Sequence, residues 1–139
     1  MTSLAYDSCF YDAVTGAIDF DSDTFYMVLV TSSYTPNKKT HTKRSDVTNE
    51  VVGAGYTAGG AATAVTVTNV TASDQITIAF GAVAWPTSTI TARAGVIYKR
   101  RGGASSADEL VAYVDFGANV TSTADTFTAT PSTPLTIQN

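Results

Sequence analysis

One cysteine and one histidine, Cys9 and His41, are all that this 139-residue chain contains of either residue type. A single cysteine forms no internal disulfide. With one thiol and one imidazole, neither a His-rich metal site nor a thiolate cage is expected, and no cofactor is predicted. Charge is scarce too, at 14% of residues against about 25% in an ordinary soluble domain. Lys+Arg number 8 against 12 Asp+Glu, for a net charge of −4. That balance argues against nucleic acid as a general partner, because phosphate binding needs a basic face. No apolar run approaches the 18 or so residues of a membrane span, so no membrane association is predicted. The first residues carry no basic stretch followed by an apolar run. The expectation is a protein made in the cytoplasm and not secreted. The glycosylation patterns at Asn69 and Asn119 then read as chance.

Thr, Ser, Ala and Gly take the place of the missing charge, and β-branched Thr suits pleated surfaces. The length fits one domain over residues 1–139. Residues 3–15 read as a short helix capped by Ser3 and ended by Gly16, with Leu4, Cys9 and Ala13 on its apolar stripe. Cys9 reads as a small buried hydrophobe rather than a reactive thiol. Residues 24–31 are the clearest strand. Phe25, Met27 and Leu29 alternate with Tyr26, Val28 and Val30, so both faces are apolar and the strand should be central. Further strands are expected at 63–69, 75–80, 82–85, 89–99, 109–116, 125–130 and 134–138, with Gly95 bulging or bending the fourth of these. Their spacing predicts an all-β, mainly antiparallel β-sandwich or jelly-roll-like domain with a short N-terminal helix and a long loop at about 34–60.

That loop, YTPNKKTHTKRSDVTNEVVGAGYTAGG, holds four of the eight basic residues, the histidine, and Gly53, Gly55, Gly59 and Gly60. It is not a phosphate loop, because Gly60 is followed by Ala61-Ala62 where Lys-Ser/Thr is required. No helical pattern follows it, so the dinucleotide fingerprint fails as well. Ser45 or Asp46 is placed to cap a single helical turn through Glu50. The acidic run Asp19-Phe20-Asp21-Ser22-Asp23 fails the EF-hand template, which finds Thr24 and Val30 where Gly and Glu are needed. A Cys9–His41 dyad has no supporting residues around it. No enzymatic activity is expected.

All eight basic residues lie in two runs, 38–44 and 93–101, while the first 23 residues hold five Asp and no Lys or Arg. Such segregation either orients contacts with a partner or reflects two solvated loops. Aromatic residues favour interface cores, which adds Tyr34, Tyr56 and Trp85 as candidate anchors, with ordinary core packing as the other reading of all three and the favoured one for Trp85. The same three rings suit a carbohydrate-binding sandwich that stacks sugars.

The run Val28–Pro36, then Thr40-His41, Ser45-Asp46-Val47, Glu50-Val51 and Gly53–Gly60, resembles a family of small virion structural proteins of tailed bacteriophages. Gly16–Asp23 and Trp85 followed by Ser88–Arg93 fit the same pattern, and the resemblance covers about residues 6–116. It implies a non-enzymatic virion component, foremost a capsid decoration or cement protein on the capsid exterior. The implied partners are the major capsid protein and sister copies in a homo-oligomer, a dimer or trimer. A tail, neck or fibre component is the alternative within the particle. The expected assembly interface comprises Tyr34, Lys38, Lys39, His41, Lys43, Arg44, Tyr56, Arg100 and Arg101.

Overall fold

Six alternating apolar residues leave a strand no solvent face, and β2 (Phe25–Val30) is accordingly buried on both sides. In the computed structural model, which describes residues 2–138, β2 lies inside a five-stranded antiparallel sheet. Its neighbours are β3 (Ala61–Thr63) and β6 (Val83–Lys99). Beyond β6 come β7 (Leu110–Ala129) and, at the far edge, β1 (Thr2–Ala5). A second antiparallel sheet has the order β4 (Val65–Val70), β5 (Gln75–Phe80), β8 (Leu135–Gln138). The fold is all-β, antiparallel and sandwich-like, as the strand spacing predicts.

The five-stranded sheet contains the two longest strands. The expected strands at 82–85 and 89–99 are one continuous β6, and those at 109–116 and 125–130 merge into β7. Pro86 does not end β6. It sits where the β6–β7 register shifts, between Trp85 and Ser88, beside Thr87 at a φ of 51°. Such a bulge leaves ladder groups unpaired. Buried Ser88 and Ser122 attend to them: their hydroxyls lie 2.8 Å apart, Ser88 donates to the Asp125 carbonyl, and Ser122 donates to the Ser88 carbonyl. The chain changes sheets at Ala64, where the sequence suggests an unbroken strand over 63–69. There the Gly81 N–H donates to the Ala64 carbonyl and the Thr63 hydroxyl donates to the Gly81 carbonyl.

Residues 2–5 are strand, not helix. Their pairing with Ala112–Asp115 overrides a weak local helical preference. The helix α1 (Asp7–Thr15) starts later, with Tyr6 rather than Ser3 at its N-cap, and Gly16 ends it as expected. Gly95 neither bulges nor bends β6. It faces Met27, whose sulfur would lie 2.6 Å from any Cβ at that position. The glycine therefore makes room for a core side chain.

Phe25, Met27 and Leu29 join the main core between the sheets, with Trp85, Ile97, Val111, Phe127 and Cys9 of α1. Val28, Val30, Val96 and Leu110 face the other way, into a second cluster with Tyr6, Tyr34 and Tyr98. Burying those four aliphatic side chains contributes roughly 6–12 kcal/mol gross. The segment that covers them, residues 31–47, is therefore part of the fold rather than an appendage.

Candidate functional site

The structure separates the nine expected interface residues into three groups. The first holds the fold together. Tyr34 is buried, its ring stacked on His41 at 5.7 Å and tilted against Tyr113 at 6.1 Å. The Asn37 N–H donates to His41 Nδ1, which fixes that nitrogen as an acceptor. The Tyr34 hydroxyl then donates to it at 2.9 Å and accepts from Tyr6 at 2.8 Å. Burial, then the bond to Tyr34, pushes the Tyr6 hydroxyl far above its usual range. This three-residue chain pins the start of the long loop to the back of the five-stranded sheet.

Tyr56 does the same at the loop's other end. Its ring lies 5.8 Å from Trp85 and packs on the main core. Its hydroxyl accepts the Leu29 N–H at 3.0 Å and donates to Glu50 at 2.6 Å. β3 pairs only with Phe25–Met27, so the tyrosine oxygen serves Leu29 where a ladder partner is missing. Glu50 also accepts the Gly59 N–H at 2.8 Å. Tyr34 and Tyr56 are thus internal fasteners. Trp85 is buried as well, against Phe127 at 6.0 Å, which takes these rings away from sugar stacking.

The second group is four basic residues, three of them held by the protein's own acids. Asp108 and Glu109 are buried, at 1% and 4% exposure. Arg44 Nε donates to Asp108 at 2.9 Å, and Arg101 forms an ion pair with Glu109 at 2.6 Å. Lys43 lies 3.5 Å from Glu109. Among the described residues Arg100 meets no acid; its guanidinium lies over the Tyr26 ring at 4.4 Å, as that of Arg44 lies over Tyr98 at 5.0 Å. The basic runs of residues 38–44 and 93–101 therefore meet at one end of the sheet. The anticipated helical turn comes early, as a 3-10 turn at Arg44–Asp46. Asp46 accepts the N–H groups of Thr42 and Lys43.

The third group, Lys38 and Lys39, is exposed and forms no ion pair among the described residues.

No protein-family model matches this chain, and neither a curated protein nor a solved structure does. Its site is read from geometry alone.

Two surfaces stand out. One is a cleft of about 590 Å³ between the glycine-rich segment 57–62 and the 100–103 turn, with Arg44, Arg100, Tyr26 and Tyr98 on its walls. The other is apolar. Val65, Val67, Ile76, Ile78, Phe80, Leu135 and Ile137 share the inner face of the three-stranded sheet by register. Ile78, Phe80 and Leu135 are covered, but Val67, Ile76 and Ile137 are 40%, 39% and 43% exposed. Val14 of α1, 88% exposed, borders the same face with Phe10 and Ala13 across a wholly apolar groove of about 260 Å³. Nothing in the sequence marks this strip, because the alternation of β4 and β5 reads as ordinary core. Asp108-Glu109 does leave a trace: an acidic pair eight residues from an Arg pair across a turn is a legible hairpin signal.

Six buried or bonded groups bear on pH. Burial pushes the Cys9 thiol up to about 12, assisted by the Asp12 and Asp7 carboxylates, so it is not a nucleophile at neutral pH. Burial alone would raise Glu109, but the Arg101 hydrogen bond, its own backbone N–H and the charges of Lys43 and Arg101 together hold it below its ordinary value. Asp46 is lowered by the Thr42 and Lys43 N–H groups, Asp115 by Arg93 and then the Gly117 N–H, and Asp19 by Ser22 and then the Asp21 N–H. A carboxyl with a depressed folded-state pKa stabilises above its unfolded value and loses that contribution as pH falls through the folded one. Asp12, raised by burial, acts in the opposite sense. With four against one, the melting temperature is expected to be flat from about pH 7 to 5 and to fall below about pH 4. A melting temperature that rises on acidification would show Asp12 dominating.

Proposed function

We propose that the protein is a non-enzymatic structural component of a tailed-bacteriophage particle. Its place in this reading is that of a capsid decoration or cement protein on the outside of the major capsid protein shell. The resemblance over residues 6–116 supplies the particle. The observation that carries an assembly role is the exposed apolar strip of Val14, Val67, Ile76 and Ile137. Contiguous exposed apolar surface marks interaction sites. The strip lies on a sheet whose outer strands, β4 and β8, each have one unpaired edge. It replaces Tyr34 and Tyr56 as the contact surface, and Lys38 and Lys39 remain open to a partner's acids. Many small contacts repeated over a shell, to capsid subunits and to sister copies, would resist internal pressure through avidity.

The test is binding to particles stripped of the protein. Wild type is expected to coat the shell in many copies, visible by cryo-EM, and to raise its thermal rupture temperature. The double variant Val14→Asp/Ile76→Asp changes exposed positions only, so it should fold normally and lose at least about tenfold in particle affinity. A few copies confined to one vertex would assign the protein to the tail or neck instead. Undiminished binding by the double variant would remove the strip from the interface.

A further inference from the structure

The cleft beside the glycine-rich segment has the dimensions of a small-molecule site, about 590 Å³ within a usual range of about 300–1,000 Å³. We infer that it binds an oxyanion: the carboxylate or phosphate group of a small polar ligand. The argument begins with charge. Arg44 and Arg100 line the cleft against one acid, Asp108. Two positive charges less one negative leave the cleft at +1, in a chain whose net charge is −4.

That acid is already committed. Asp108 accepts from Arg44 Nε at 2.9 Å and from the Arg101 N–H at 2.9 Å. Arg100 has no carboxylate within ion-pair distance among the described residues. A tyrosine ring occupies one face of its guanidinium. Stacking of that kind leaves the in-plane N–H donors free for a forked acceptor. Among the described residues Arg44 uses only Nε, which leaves its two terminal nitrogens for a ligand as well. Carboxylate and phosphate are the groups whose oxygens match two such forks.

The walls are set in advance. The Tyr98 hydroxyl donates to the Gly59 carbonyl at 2.7 Å while Glu50 holds the Gly59 N–H. Gly59, Gly60, Gly102 and Gly103 all line the cleft, so a ligand meets backbone without side chains in the way. Donors fixed before binding lose little freedom when the anion arrives. The cleft lies apart from the apolar strip, and its role does not depend on the particle reading.

The experiment is a ¹⁵N-NMR titration of the full chain with inorganic phosphate and, separately, with succinate, at ionic strength held constant with NaCl. Saturable shifts at the Gly59, Gly60, Gly102 and Gly103 amides are expected. Phosphate alone, succinate alone, or both would each support the site and would name the anion. Arg100→Gln should weaken binding at least about tenfold, while Lys38→Gln should leave it unchanged. Gly102→Asp places a carboxylate in open space at the rim, at a φ that Asp tolerates, and should abolish binding. Shifts no larger than those from NaCl, or full affinity in Arg100→Gln, would overturn the inference.

Discussion

Replacing Gly60 by Ala is expected to cost more than about 4 kcal/mol, or to prevent folding altogether. Gly60 has a φ of 77°, and a Cβ there would overlap the Met27 carbonyl and come within 2.9 Å of the Val28 Cα. The φ alone costs about 1–2 kcal/mol for a residue bearing a Cβ. The collision is worse, because its partner is the backbone of the central strand and has no rotamer to escape into. Relief requires β3 to leave β2, which opens the sheet edge. Gly102→Ala is the matched control, with a φ of 86° and nothing within 4 Å of the added methyl. It should lose only the conformational part, about 1–2 kcal/mol. Urea unfolding of both variants checks the comparison. Equal losses would mean that close approach to Met27 has no energetic weight.

The second large effect belongs to Tyr56. Truncation to Ala removes a ring packed on Trp85 and the main core, for about 3–5 kcal/mol. It also strips the acceptor from the Leu29 N–H and the donor from Glu50. Leaving such groups unpaired costs a further 1–3 kcal/mol or so. Against a total stability of about 5–15 kcal/mol, that is a large share. Tyr56→Phe keeps the ring and should lose only the hydroxyl part. Chemical denaturation of the pair therefore separates packing from hydrogen bonding. A Tyr56→Ala protein of near-normal stability that no longer binds particles would reinstate this ring as a contact residue.

Both positions lie in the stretch where the sequence was hardest to read; elsewhere it was plainer. The alternation in residues 25–30 gave β2 its two apolar faces, and the sandwich class followed from strand spacing. The end of α1 at Gly16 was legible because one residue type dictates a helix stop. The beginning was not, since residues 2–5 are claimed by β7, a partner more than a hundred positions away. Loop 34–60 misled for a related reason. Its polar run and glycines look solvated in one dimension, yet Tyr34 bonds to Tyr6 and Tyr56 to the Leu29 N–H, both outside the loop, while Glu50 ties the loop to itself at Gly59. Arg44 and Arg101 read as surface charge until the 100–109 turn brings Asp108 and Glu109 beside them. Long-range pairing of this kind leaves no periodic trace.

The pairing of β1 with β7 also sets a schedule. Thr2 meets Asp115 and Val83 meets Ala129 in one sheet, and Gln75 meets Gln138 in the other, so neither sheet can close until nearly the whole chain has been made. Loop-closure entropy must be met before those contacts return any stability. Chains dominated by such non-local pairing fold in milliseconds to seconds rather than microseconds. During that interval the edge of the five-stranded sheet and the back face of β2 are bare. A growing pool of newly made chains therefore passes through a sticky stage, and dilution or slow synthesis favours correctly folded chains over tangled copies.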